Sequence, residues 1–171
     1  NWIPFVNNNT LFFAYSLVPH RILQPFLGTQ RCEEVSSSTI SNAWNWGNPK
    51  PGTSAFLDGD HYLAVFHSVK VMATTHSEGK SIQHYFMGAY TFENHPPFAI
   101  TAISQNPIIG KNFYHGQEYN MIKPCRVVFP CGIVIDDQFV WVAFGRQDHE
   151  VCIVKLEKRG LYESLVPILS K

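Results

Sequence analysis

Residues 124–156 read PCRVVFPCGIVIDDQFVWVAFGRQDHEVCIVKL, and the order of apolar and polar residues in them decides the fold. Three apolar runs, Val127–Ile135, Val140–Gly145 and Glu150–Leu156, follow one another with almost no spacer. Each is short and rich in β-branched and aromatic residues, the composition of strands buried in a sheet. The clusters between them, Asp136-Asp137-Gln138 and Arg146-Gln147-Asp148-His149, are polar, as hairpin connections are. The unit is strand, polar turn, aromatic strand, polar tip, strand.

The unit is legible twice more. LFFAYS at Leu11–Ser16 follows the turn signal Asn7-Asn8-Asn9-Thr10, and YLAVFHS at Tyr62–Ser68 follows Asp58-Gly59-Asp60-His61. Thr53–Leu57 supplies a strand before the second turn, and Ile82–Phe92 and Pro97–Ile103 supply strands after it. The aromatic strands begin at residues 11, 62 and 140, which fits a repeat of roughly 40–50 residues with insertions in its loops. The reading is all-β, a β-propeller with little helix. Leu161–Leu169 is the one stretch with helical character, and Pro167 interrupts it. Cys32–Lys50 and Val69–Lys80 read as long connections. No composition shift marks a domain boundary, so residues 1–171 form a single domain, with units at about 1–50, 51–110 and 111–171.

Composition narrows the rest. The chain of 171 residues is 45% hydrophobic and 14% aromatic with only 15% charged residues, which excludes an extended disordered chain. Thirteen basic residues balance thirteen acidic ones, so no overall field draws the protein to nucleic acid or anionic lipid. No apolar run approaches the roughly 20 residues a membrane span needs. Cys125, Cys131 and Cys152 lie in or beside apolar runs, where cysteine behaves as a small hydrophobe. With Cys32, they are expected to be reduced thiols in a reducing, cytoplasmic compartment. Asn8-Asn9-Thr10 matches the glycosylation triplet, a short pattern of little weight. The first residue is Asn1 and not Met, so the chain is read as a piece of a longer protein.

In a sheet protein the informative residues are polar ones at strand ends near a common mouth. Pro19-His20-Arg21 follows the first aromatic strand, His67 closes the second, and Arg146-Gln147-Asp148-His149-Glu150 follows the third. All occupy the same place in their units, so units arranged about one axis would converge them on one funnel. Structural readings stand beside this one. Arg146–Glu150 can be a solvated turn, His67 a core histidine, and His20-Arg21 a surface pair with Arg21 stacked on an aromatic ring. The sequence has no H-E-x-x-H, P-loop, G-x-G-x-x-G or G-x-S-x-G motif. Its eight histidines form no ligand-spaced pair, so no metal is expected.

The order of segments resembles glycoside hydrolase family 130, five-bladed β-propellers that act on β-mannosides as phosphorylases or hydrolases. Asn1–Ile22, NWIPFVNNNTLFFAYSLVPHRI, is similar to the family's K-N/D-x-x-x-F-P segment, which leads to a strand and an arginine. Gly52–His67, GTSAFLDGDHYLAVFH, is similar to its glycine-led blade ending in an aromatic residue and His. Tyr85–Ile109 resembles the following strand and its Pro-Ile-Ile end. Val127–Asp148, VVFPCGIVIDDQFVWVAFGRQD, resembles the family's V-x-F-P-x-G, hairpin, aromatic strand, Gly and Asp.

The resemblance implies that Arg21, His67 and Asp148 line a sugar and phosphate site, with Lys50 near a basic position before the second blade. His20 and Arg146, beside these positions, complete the candidate substrate- or phosphate-binding set. It implies no cofactor, inorganic phosphate as co-substrate of the phosphorylase form, and a sugar or glycoside as ligand. The family's general acid is an aspartate in an E-D-P-R-like motif ahead of the segment at Asn1, and nothing in this chain matches it. Gly52-Thr53-Ser54 stands where mannoside enzymes carry a more proline-rich turn, which implies a distant branch. Five blades need roughly 200–250 residues, so the chain is expected to supply about three, the remaining blades being its partner. The implied activity is glycoside hydrolysis or phosphorolysis; the alternatives are a non-catalytic sugar-binding or scaffolding propeller, and a glycosyltransferase on the same fold.

Overall fold

A computed structural model describes residues 1–39, 44–115 and 124–168. The chain forms β1 (Ile3–Asn7), β2 (Thr10–Leu17), β3 (His20–Phe26) and β4 (Arg31–Ser38), then β5 (Lys50–Pro51), β6 (Phe56–Asp58), β7 (His61–Met72), β8 (Ile82–Glu93) and β9 (Ile100–Ser104). It ends in β10 (Cys125–Arg126), β11 (Val128–Ile135), β12 (Phe139–Arg146), β13 (Glu150–Glu157), a short helix α1 (Lys158–Glu163) and β14 (Leu165–Pro167). The first four strands make an antiparallel meander, β1-β2-β3-β4. The central sheet runs β14-β9-β8-β7-β5, with β6 also on β7 and β10 parallel to β8. The third sheet is β11-β12-β13.

Residue alternation explains how the sheets stack. On β7, Tyr62, Ala64 and Phe66 face the first sheet and pack with Ile3, Phe5, Ala14, Leu17 and Ile22. The intervening Leu63 and Val65 face the third sheet and pack with Val128, Val140, Val142 and Phe144. The central strands are therefore covered on both sides, and that is why β7 and β8 read as nearly continuous apolar runs. On β13 the pattern is strict alternation, with Val151 and Ile153 outward and Cys152, Val154 and Leu156 inward. Gly52 marks the closest approach of the central and third sheets. A Cβ there would lie 2.6 Å from the Val65 carbonyl and 2.8 Å from the Pro130 ring, so only glycine fits.

The turns follow their sequence signals. Asn8 and Asn9 both take positive φ in the two-residue β1–β2 connection, as a type I′ turn requires. Asp136 accepts from the Gln138 and Phe139 amides at 2.9 and 2.7 Å and from the Trp141 indole at 2.9 Å, closing the β11–β12 hairpin. Hydrogen bonds from Trp141 and those two amides hold its carboxyl below the usual range.

Four expectations need correction. Cys32–Lys50 is not wholly a connection, because residues 31–38 form β4 and Lys50 opens β5. RCEEVSSS carries almost no apolar signal, and an exposed edge strand needs none once the backbone of β3 supplies its partners. Val69–Met72 continues β7 rather than starting a connection, held by the full ladder to β8. The helix lies at Lys158–Glu163, earlier than the Leu161–Leu169 stretch, and Leu165–Pro167 instead pairs with Ser104–Ala102 as a strand. Thr53 precedes the strand proper, yet it is fully buried and bonds Val65 twice. Its amide donates to the Val65 carbonyl at 2.9 Å, and its hydroxyl accepts from the Val65 amide at 3.0 Å. Cys32, Cys131 and Cys152 are free thiols, with Cys32 and Cys131 exposed. Among the described residues, no helix is long and apolar enough to cross a membrane.

Candidate functional site

His67 sits on β7 opposite Met87 of β8 and Lys50 of β5, and its side chain turns toward the third sheet. Its ring lies 4.5 Å from that of Phe129 and 6.3 Å from that of Tyr85, centroid to centroid. The residue is 4% exposed, and its Nδ1 has no hydrogen-bond partner. Burial pushes the imidazole down to about 4, the positive charge of Lys50 pushes the same way, and the Pro51 backbone opposes weakly. At neutral pH the ring is therefore uncharged. It presents an unsatisfied polar atom, which costs about 1–3 kcal/mol unless a ligand or water meets it.

Asp148 arrives from the β12–β13 tip. Gln147 and Asp148 both take left-handed backbone conformations, at φ 53° and 57°, which are uncommon for residues other than glycine. Gln147 holds the tip in place. It is buried, its amide donates to the Val127 carbonyl at 3.0 Å, and its Oε1 accepts from the Val127 amide at 2.6 Å. Asp148 itself is exposed. Burial and then the charge of Asp148 raise the Tyr85 phenol, and the same two causes raise the Cys125 thiol. Tyr85 thus stays protonated and able to donate, with its ring beside that of His67. Gln147→Ala would leave the Val127 amide unpaired, an expected loss of about 1–3 kcal/mol, measurable by urea unfolding. An unchanged midpoint would show that the tip holds itself.

Lys50 and His67 are cross-strand partners on β5 and β7, and Asp148 lies near enough to Tyr85 for its charge to raise the phenol. The other candidates are engaged elsewhere. Arg21 lies on the first sheet, where its Nε donates to Glu34 at 2.5 Å and its guanidinium lies 5.0 Å over the Tyr15 ring. Arg146 grips both oxygens of Glu150 at 2.8 and 2.9 Å and donates to the Asn112 carbonyl at 3.0 Å. His20 is wholly buried between the first and central sheets, against Tyr90 and Phe92, with both ring nitrogens unpaired. Tyr85 and Phe129 are the residues that sequence reasoning missed. Both sit inside strands already recognised as apolar; the β7–β8 register brings Tyr85 to His67, and the stacking of the third sheet brings Phe129.

The groups beside His67 are its own uncharged imidazole, an ammonium, a protonated phenol and an aromatic face, with the Asp148 carboxylate near enough to Tyr85 to act on its phenol. That set offers donors, an acceptor and an apolar platform to a ligand rich in hydroxyls, with one positive charge for an oxyanion. Among the described residues no group of three or more His, Cys, Asp or Glu side chains gathers to hold a metal ion.

No family profile matches the chain, and no curated protein does. Solved structures do. A β-1,2-mannobiose phosphorylase from Listeria innocua, in complex with β-1,2-mannobiose, superposes with a TM-score of 0.56 at 14% identity, over 95% of this chain and 45% of that one. A candidate glycosidase from Bacteroides thetaiotaomicron superposes with a TM-score of 0.53 at 14% identity, over 87% of this chain and 44% of that one. The likeness extends over nearly the whole fold, and the chain spans less than half the length of either structure.

Proposed function

We propose that this chain is part of a carbohydrate-active β-propeller, a glycosidase or glycoside phosphorylase acting on a mannoside-like sugar. The observation that carries the reading is the buried His67, with an unpaired Nδ1 and Lys50, Tyr85 and Phe129 beside it, in a fold shared with two sugar-enzyme structures. The three stacked sheets are then three blades. The outward faces support further blades. Val134, Val151 and Ile153 on the third sheet are 60%, 87% and 68% exposed, and Trp2 and Val6 on the first are 52% and 59% exposed. Sheet faces of that kind are normally covered in a soluble protein.

In this reading His67 bonds a sugar hydroxyl or phosphate oxygen through its unpaired Nδ1, and Lys50 balances negative charge there. Asp148 accepts from sugar hydroxyls, and Tyr85 donates to the same ligand. Inverting cleavage also needs a carboxylic acid on the leaving oxygen. The E-D-P-R-like motif that carries this acid in the resembled family has no match in this chain, so in this reading the acid comes from the remaining blades. General acid help is worth about 10²–10⁴-fold, and this chain alone is expected to cleave no glycoside.

The test compares the complete protein, its His67→Ala variant and this chain on β-mannosides, with and without phosphate. Activity of the complete protein that falls about 100-fold or more in His67→Ala, with the chain inactive, is the expected result. Activity in the isolated chain would place the acid within it. Binding without cleavage in every form would favour a non-catalytic sugar-binding module, a reading favoured by the ion pairs that already occupy Arg21 and Arg146.

A further inference from the structure

We infer that a second ligand-binding groove, on the opposite side of β7 from His67, takes a neutral sugar ring of a longer saccharide. The inference rests on the carbohydrate reading above for its ligand class. Two cavities of about 430 and 270 Å³ adjoin at this end of the central sheet and share Asn45 and Lys70. Cavities near that size suit small ligands.

The strap of residues 44–49 builds one wall. Trp44 is buried and anchors it, its indole donating to Ser68 Oγ at 2.9 Å while Ser68 donates to the Trp46 carbonyl at 2.7 Å. Gly47, at φ 104°, lets the strap lie on Val69, since a Cβ there would lie 2.2 Å from the Val69 carbonyl. Lys70 donates to the Asn45 carbonyl at 2.9 Å, which fixes the ammonium across the groove with two protons still to give.

The lining chemistry selects the ligand. Asn45, Asn48, Gln105 and Asn106 bring side-chain amides that both donate and accept, and Trp46 brings a half-buried aromatic surface. Among the described residues, neither cavity has a carboxylate in its lining, and Lys70 is the one charged group there. Amides around an aromatic face match a pyranose, which has hydroxyls at its rim and C–H groups on its faces. The lone ammonium stands among four neutral amides, which favours a ligand rich in hydroxyls.

Position links the groove to the first site. Asn48 and Pro49 lead directly into Lys50, which pairs with His67, and Ser68 is the next residue of β7, facing the groove. The short strand β5 runs along the edge of the central sheet beside His67 and continues directly from the strap. A saccharide crossing that edge would place one ring at His67 and another against Trp46.

The test follows the Trp46 indole N–H resonance in the complete protein during titration with mannose, β-1,2-mannobiose and the corresponding trisaccharide. The expected result is a shift with the two longer sugars, and an affinity for them about tenfold weaker in Trp46→Ala, with mannose affinity unchanged. Because Trp46 also packs on Phe86, with ring centroids 5.2 Å apart, the exposed Asn48→Ala and Lys70→Ala variants must show the same selective loss. A silent Trp46 with every sugar, or equal losses for mannose and trisaccharide, would overturn the groove. If Trp46 responds while His67→Ala leaves binding intact, the groove stands and the reading of the His67 site falls. If His67→Ala weakens binding and Trp46 stays silent, the groove alone falls.

Discussion

Acidification from pH 6.5 to about 4 is expected to remove about 3 kcal/mol of unfolding free energy through His20 alone. Burial lowers its folded pKa to about 4, with the Phe98 backbone pulling weakly upward. The unfolded chain takes up this proton near pH 6.5 and the folded one does not. Between those values the unfolded state binds more protons, so stability rises with pH and is fully present above 6.5. His67 and His84, both lowered mainly by burial, act with the same sign. Against a total stability of about 5–15 kcal/mol, a loss of this size is enough to bring unfolding into the mildly acidic range. His20→Leu removes the titrating group and two unpaired nitrogens while keeping nearly the same volume. Its urea-unfolding free energy should match or exceed the parent's at neutral pH, and should change about 3 kcal/mol less on acidification. A variant as acid-sensitive as the parent would show that His20 is not the source.

Phe5→Ala carries the second large effect, an expected loss of about 3–5 kcal/mol. Phe5 is 3% exposed, and its ring lies 4.9–5.5 Å, centroid to centroid, from those of Phe12, Tyr62, Phe92 and Phe98. It ties the first sheet to the central one, and the cavity left behind would be walled by rings that cannot all move inward. Thermal unfolding of the parent and the variant measures the cost. A loss below about 1 kcal/mol would mean that the aromatic cluster closes over the gap, as well-relaxing core sites do.

Local chemistry was enough to read the strands and turns of this protein. LFFAYS, YLAVFHS and VWVAFG could be recognised because apolar and β-branched residues cluster where a sheet is buried. The Asn8-Asn9 and Asp136–Gln138 turns announce themselves through residues that tolerate or cap a tight bend. The same reasoning failed on Arg31–Ser38, where strand character comes from hydrogen bonds offered by β3 and not from its own side chains. It also failed to separate candidate polar residues by role. Arg21, His20 and Arg146 occupy positions as suggestive in sequence as His67 and Asp148. A neighbouring carboxylate takes each arginine, and two packed sheets enclose His20. Glu34 lies across a ladder from Arg21 and the walls around His20 come from two layers, so no local spacing reveals them, whereas Glu150 is only four residues from Arg146, across the β12–β13 hairpin. Strand pairing within the central sheet brought Lys50 and Tyr85 beside His67, and stacking of the third sheet brought Phe129 against it. Period-two alternation fixes that a residue faces one side of its own strand, while tertiary packing fixes which other strand's residues lie opposite it.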